Sequence, residues 1–119
     1  MSGRAPGAVT ELLAAYLATA ERWHELRTDA RAANPVFDEN ERLALELRRS
    51  ADGQAAIAGL LAHPASGVRV LAAAHSLQFC PGDAVVVLQA LAAGDGLHAI
   101  AAQYALEEFA RAGTLELGG

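Results

Sequence analysis

The sequence predicts an all-α fold: one domain spanning residues 1–119, built as a short solenoid of about six helices. Three observations carry this. Apolar residues recur at three- and four-residue steps along most of the chain, while no stretch alternates as a half-buried strand would. Helix stops (Asn34-Pro35, Asp52-Gly53, His63-Pro64, Pro81, Gly94-Asp95-Gly96, Gly113) cut the pattern into helix-sized pieces. The second half also repeats itself. At 119 residues the chain fits a single domain and is long enough to bury one core.

The first helix is expected near 10–26. Val9, Leu12, Leu13, Tyr16, Leu17, Ala20 and Trp23 form one stripe, with Thr10 as N-cap. Arg4, the apolar stretch from Ala8 and Ala18-Thr19-Ala20 mimic a signal peptide. Glu11 lies inside that stretch, however, and the helical pattern runs on unbroken through Glu21, Arg22 and Glu25, which favours an amphipathic helix. The second helix is expected at 35–49. Asn34 caps it, Pro35 sits at its first position, and Val36, Phe37, Leu43, Ala44 and Leu47 form its buried stripe. A looser turn precedes it over 29–33, and Asp52-Gly53 ends this half. The remaining helices are expected at 54–62, at 68–79 with Ser66 as cap, at 83–93, and at 97–111 with Gly113 as stop and a frayed tail over 114–119.

Sliding the sequence by 29 residues lays the last two helices on the two before them. Gly53 meets Gly82, Ile57 meets Val86, Val68 meets Leu97, Leu71 meets Ile100, and Ala72-Ala73 meets Ala101-Ala102. A helix-loop-helix unit of this length is the mark of an α-solenoid, in which each unit buries its spare apolar face on the next. Alanine makes up about a quarter of the chain. Ala72, Ala73, Ala101 and Ala102 stand mid-helix, where small side chains let helix axes approach closely.

Composition excludes several functions. The net charge is −5, with nine basic residues, all arginine, against fourteen acidic ones. The seven arginines up to Asp52 are interleaved with nine acids, which argues against a phosphate-binding face and hence against nucleic acid as a partner. No apolar run reaches the roughly 18–20 residues that span a bilayer, so no membrane partner is expected. A single cysteine makes no internal disulfide, and the expected location is cytoplasmic.

Pro64, Val68-Arg69, Ala72, Ala73 and Leu77 together resemble a HEAT repeat, whose second helix opens with Val-Arg and continues with spaced alanines and a leucine. Leu97-His98 stands where a second Val-Arg would, so the last helix is a degenerate copy. The run from His63-Pro64 through Val68-Arg69 to Ala72-Ala73-Ala74-His75-Ser76-Leu77, with Ala32-Ala33-Asn34 before it and 106–115 after it, is similar to a small bacterial family. That family is number two thousand and nineteen among the domains of unknown function. The resemblance implies a HEAT/ARM-like α-α superhelix without established activity, some of whose relatives accompany bacterial toxins as immunity proteins.

Four candidate interaction residues stand out: Arg69, His98, Trp23 and His75. Arg69 and His98 hold equivalent positions in the 29-residue register and are expected on one exposed edge. In a HEAT repeat that arginine also has a structural role. Trp23 is of the type enriched at binding hot spots, but it is in register with the buried stripe of the first helix. His75, inside an apolar helix, reads either as a core histidine with both nitrogens satisfied or as a ligand or general base. Cys80 reads as a small buried hydrophobe, or as a reactive thiol at a helix start. His63, His75, His98 and Cys80 show no metal-ligand spacing, so no metal or other cofactor is expected. The acids Asp38, Glu39, Glu41, Glu107 and Glu108 read as wet helix faces, and no catalytic residue is assigned.

Sixteen charged residues lie at or before Asp52 and seven after it. The last four helices, with runs such as Ala84-Val85-Val86-Val87-Leu88, are apolar nearly all round, and some of that surface needs a cover. The expected function is therefore a non-catalytic module that binds a protein partner or itself; a toxin-neutralising role, its most specific form, is what the family resemblance implies. The alternative is a small-molecule binder or enzyme with a pocket near His75, using Cys80 or Trp23.

Overall fold

Six α-helices follow one another in the computed structural model, which describes residues 6–118, with side chains from 8 to 112. They are α1 Pro6–Glu25, α2 Ala30–Leu47, α3 Ala51–Ala58, α4 Ser66–Ser76, α5 Pro81–Ala92 and α6 Leu97–Gly118; a 3-10 helix, Gly59–Ala62, extends α3. No strand occurs among the described residues.

Local chemistry shifts several boundaries from their expected places. α1 is already helical at Pro6, so Thr10 lies within it instead of capping it. α2 starts at Ala30 because the Asp29 carboxylate accepts the Ala32 N–H at 3.2 Å. Asp29 is thus the cap in place of Asn34, and Pro35 sits inside the helix at the loss of one backbone hydrogen bond. Ser50 caps α3 by accepting the Gly53 N–H at 3.0 Å, which puts Asp52-Gly53 in the first turn of a helix, where a stop was expected. α4 has no side-chain cap, since the Ser66 hydroxyl is turned to His98. α5 opens on Pro81, at a position where a missing N–H costs nothing. Gly96 takes φ +91° in the turn before α6. α6 then runs through Gly113 to Gly118. The expected fraying of 114–119 concerns residues whose side chains lie outside the described set.

Consecutive helices are neighbours throughout. α4 also lies against α1 and α6, and α1 against α3. The shortest dimension, 24 Å, is about two helix diameters. α4 is the hub and feeds both core clusters. Val68, Val70, Leu71, Ala73 and Leu77 join Ala20, Ala84, Leu88 and Ala102 in one. Ala72 joins Tyr16, Leu43, Leu47 and Ile57 in the other.

The burial pattern does not keep the 29-residue register. At a spacing of 29, buried Ile57 falls on Val86, which is 65% exposed, and buried Leu71 falls on Ile100, which is 59% exposed. At a spacing of 31, five buried residues fall on five buried residues: Gly53 on Ala84, Ile57 on Leu88, Gly67 on His98, Val68 on Ala99, Leu71 on Ala102. Two residues turn a helix by about 200°, enough to exchange its buried and wet faces. The 29-residue match aligned glycines and alanines, which are frequent everywhere in this chain, and so missed the core.

Candidate functional site

A groove of about 900 Å³ runs over α4, between α2 and α6. Val70, Leu71 and Ala74 of α4, with Leu77 just after it, form its floor. Trp23 at the end of α1 and Phe37 of α2 stand on one side, with ring centroids 6.2 Å apart. Tyr104 and Phe109 of α6 stand on the other, beside Ala101 and Ala105, whose small side chains keep the space open. Among the described residues Glu41 and Glu108 are the charged ones that line it, and Glu108 is paired with Arg111.

Behind Glu41 lies a buried polar chain. The carboxylate can only accept, so His75 Nε2 carries the proton and donates to Glu41 Oε2 at 2.5 Å. His75 Nδ1 is then the acceptor for the Tyr16 hydroxyl at 2.7 Å. Tyr16 and His75 are buried, whereas the Glu41 side chain is 45% exposed. The hydrogen bond from His75 holds the Glu41 carboxyl below its usual pKa range, so Glu41 is charged at neutral pH. Burial, with Glu41 nearby, pushes the Tyr16 phenol far above its ordinary value, so it keeps its proton. Asn40 ties α2 to α1 by donating to the Tyr16 carbonyl at 3.2 Å and to Thr19 Oγ1 at 3.0 Å. Chemically, the chain fixes one negative charge at the groove wall.

A second polar cluster joins α1 to the starts of α4 and α6. His24 Nδ1 accepts the Gly67 N–H at 3.0 Å, and a Cβ at Gly67 would fall 2.6 Å from the His24 Cβ. The His98 ring stacks on His24 with centroids 5.0 Å apart, lies 5.1 Å from Trp23, and shares a 2.9 Å hydrogen bond with Ser66 Oγ. Burial first, then the neighbouring His24 and Arg27, lowers the His98 pKa to about 4; burial and Arg27 lower that of His24.

The four expected interaction residues therefore divide. Trp23 and His98 meet, and Trp23 lines the groove. His75 sits behind the groove and reaches it only through Glu41. Arg69 stays apart, donating from Nη1 to the carbonyls of His63 and Pro64 at 2.9 Å each, and so staples the loop before α4. Arg69 and His98 do not share an exposed edge, because His98 is buried and its burial counterpart is Gly67. Cys80 is neither fully buried nor activated. Its thiol points to Asp83 Oδ2 at 3.5 Å, and partial burial together with that carboxylate raises its pKa. Among the described residues no group of three or more His, Cys, Asp or Glu is placed to hold a metal, and no helix is long and apolar enough to cross a membrane.

Sequence reasoning missed Glu41, which read as a wet face, and the groove aromatics Phe37, Tyr104 and Phe109. A signal for Glu41 did exist. A tyrosine and a histidine, each within an apolar stripe, both need polar partners, and α2 is the acid-rich element available to supply one. No family model, curated protein or solved structure matches the chain.

Proposed function

We propose that this protein is a non-catalytic binding module, a short α-α superhelix of HEAT-like type, whose groove over α4 receives an amphipathic helix of a partner protein. The 31-residue recurrence of burial supports the stacked-repeat reading. The observation that carries the functional reading is the composition of the groove: aromatic walls, an aliphatic floor, and acids as the charged lining among the described residues. Helix-in-groove recognition uses such a surface to take apolar anchors at helical spacing. Glu41 selects a basic residue next to those anchors, and the buried His75 and Tyr16 keep its carboxylate ionised and oriented. Neutralising a toxin is the most specific form of this role, and it rests on the family resemblance alone. The groove volume also lies in the range of small-molecule sites, so an apolar amine is the second reading.

Trp23 is the single tryptophan and lines the groove, so its fluorescence reports occupancy. A cationic amphipathic helical peptide should shift its emission to saturation, while an acidic peptide of the same pattern should not. Filling the groove by Ala105→Trp, read out by a labelled peptide, should abolish binding, and Glu41→Gln should weaken it about tenfold. Equal binding of acidic and basic peptides, or a peptide response unchanged by Ala105→Trp, would overturn the reading.

A further inference from the structure

A histidine pair holds together the starts of the two helices that make the floor and one wall of the groove. Gly67 begins the face of α4 that carries Val70, Leu71 and Ala74 of the floor, at i+3, i+4 and i+7. His98 begins the face of α6 that carries Ala101 and Ala105 of the wall, at i+3 and i+7. His24 joins the two. Its Nδ1 accepts the Gly67 N–H at 3.0 Å, and its ring stacks on His98 with centroids 5.0 Å apart. Trp23, which lines the groove, stands between His98 at 5.1 Å and Phe37 at 6.2 Å. The pair thus ties the floor of the groove to one wall and backs Trp23.

The joint requires neutral rings. An imidazolium carries a proton on both nitrogens, so a protonated His24 cannot accept from Gly67. His98 Nδ1 shares a hydrogen bond with Ser66 Oγ, and its buried Nε2 has no partner among the described residues. Protonation would leave a buried charge on that unpaired N–H. Both added charges would also stand at the positive ends of α4 and α6, and against each other. The surroundings oppose a cation as well. Arg27 acts on both rings, Arg69 and His63 act on His24, and Glu25 is the acid that favours its charge. On the other side of His98, Arg27 and Asp95 line a small pocket to which α5 contributes Ala90 and Leu91. In accord with this, burial first and then the neighbouring basic groups hold both rings below the ordinary histidine value. We propose that the His24–His98 pair is a proton-operated latch: neutral, it holds the groove ready for its helix; protonated, it parts α4 from α6, frees Trp23 and releases the occupant. The release rests on the helix-binding reading above, whereas the opening does not.

Acrylamide quenching of Trp23, the single tryptophan, reads the latch in the free protein. From pH 7.5 to 5.0 the quenching constant should rise about twofold while the far-ultraviolet circular dichroism of the helices is unchanged. The affinity for the cationic amphipathic peptide should fall about tenfold over the same range. His24→Asn puts an amide oxygen that does not titrate near the place of Nδ1, and His98→Phe keeps a ring against Trp23. The double variant should lose both responses to acid. His24→Asn alone should remove about half of the quenching response, and it decides the matter where the double variant does not fold. His63 and His75, the other two histidines, remain in these variants, so a full response that survives in them belongs elsewhere and overturns the proposal. Quenching in the parent that stays constant, or that rises only as the helices melt, overturns it too. If no peptide binds at pH 7.5, the helix-binding reading fails, and the latch stands or falls on the quenching alone.

Discussion

The two halves of this molecule solve burial in opposite ways. The chain up to Asp52, which contains α1 and α2, carries sixteen of the twenty-three charged residues, and each of the two helices turns a stripe inward, with Tyr16, Ala20, Leu43 and Leu47 buried. α4 to α6 carry little charge, and they leave Val86, Leu97, Ile100 and Tyr104 in the open. An amphipathic helix states its orientation in its own sequence. A helix apolar on all sides does not, and its orientation is set by what packs against it. The groove forms where the two kinds meet, with Phe37 and Glu41 from the charged half facing Tyr104 and Phe109 from the apolar one.

The largest expected effect lies at the joint between the halves. A Cβ on Gly53 would sit 1.8 Å from the Leu47 carbonyl oxygen, a backbone atom that cannot give way without moving α2 from α3. Gly53→Ala should cost about 3 kcal/mol or more in urea melts. Gly82, its partner in the 29-residue alignment, has nothing within 4 Å of such a Cβ. Gly82→Ala should be neutral or stabilise by about 0.5 kcal/mol through helix propensity and the unfolded chain. Equal losses at the two sites would restore the 29-residue register and break the comparison.

How much was legible in the sequence follows the same division. Helix number and type could be read, because Pro and Gly stops and the 3.6-residue period are local signals. The buried stripes of α1 and α2 could be read too: of the residues assigned to the α2 stripe, Leu43, Ala44 and Leu47 are buried, while Phe37 is partly open at the groove. Facing in α3 to α6 could not be read, since alanine, valine and leucine surround those helices on every side and a slip of two residues leaves the pattern looking intact. The groove was illegible for another reason. It is lined from α1, α2, α4 and α6, far apart in sequence, and Glu41 on its wall differs from the neighbouring wet acids through contact with His75 on α4.

The next effect, smaller, is a pH dependence at the joint between α1, α4 and α6. His24 and His98 have folded-state pKa values below the ordinary histidine value of 6.5, with His98 at about 4. The unfolded chain therefore binds more protons between those values. The stability that these rings contribute is complete above pH 6.5 and is lost as pH falls toward 4. From pH 7.5 to 5.0 the loss should be on the order of 1–2 kcal/mol. The lowered carboxyl of Glu41 acts below its ordinary value of 4.5, outside this window. His98→Phe keeps an aromatic ring against Trp23 and should flatten the slope. An unchanged slope in urea melts at the two pH values would mean that His98 is accessible to water, and with it the joint.

The smallest effect is expected on the charged flank itself. Arg42 donates to both carboxylate oxygens of Glu39, at 3.1 and 2.5 Å, which is good geometry for an ion pair. Both side chains are nonetheless about half exposed or more, so water screens the attraction, and holding two long chains in one geometry costs entropy. Arg42→Ala should leave the melting temperature unchanged within error, and the same is expected where Arg49 meets Glu46 across a short exposed turn. These charges then act to keep the flank wet. A clear loss on Arg42→Ala, growing with protein concentration, would place this flank inside an assembly and reverse the roles of the two halves.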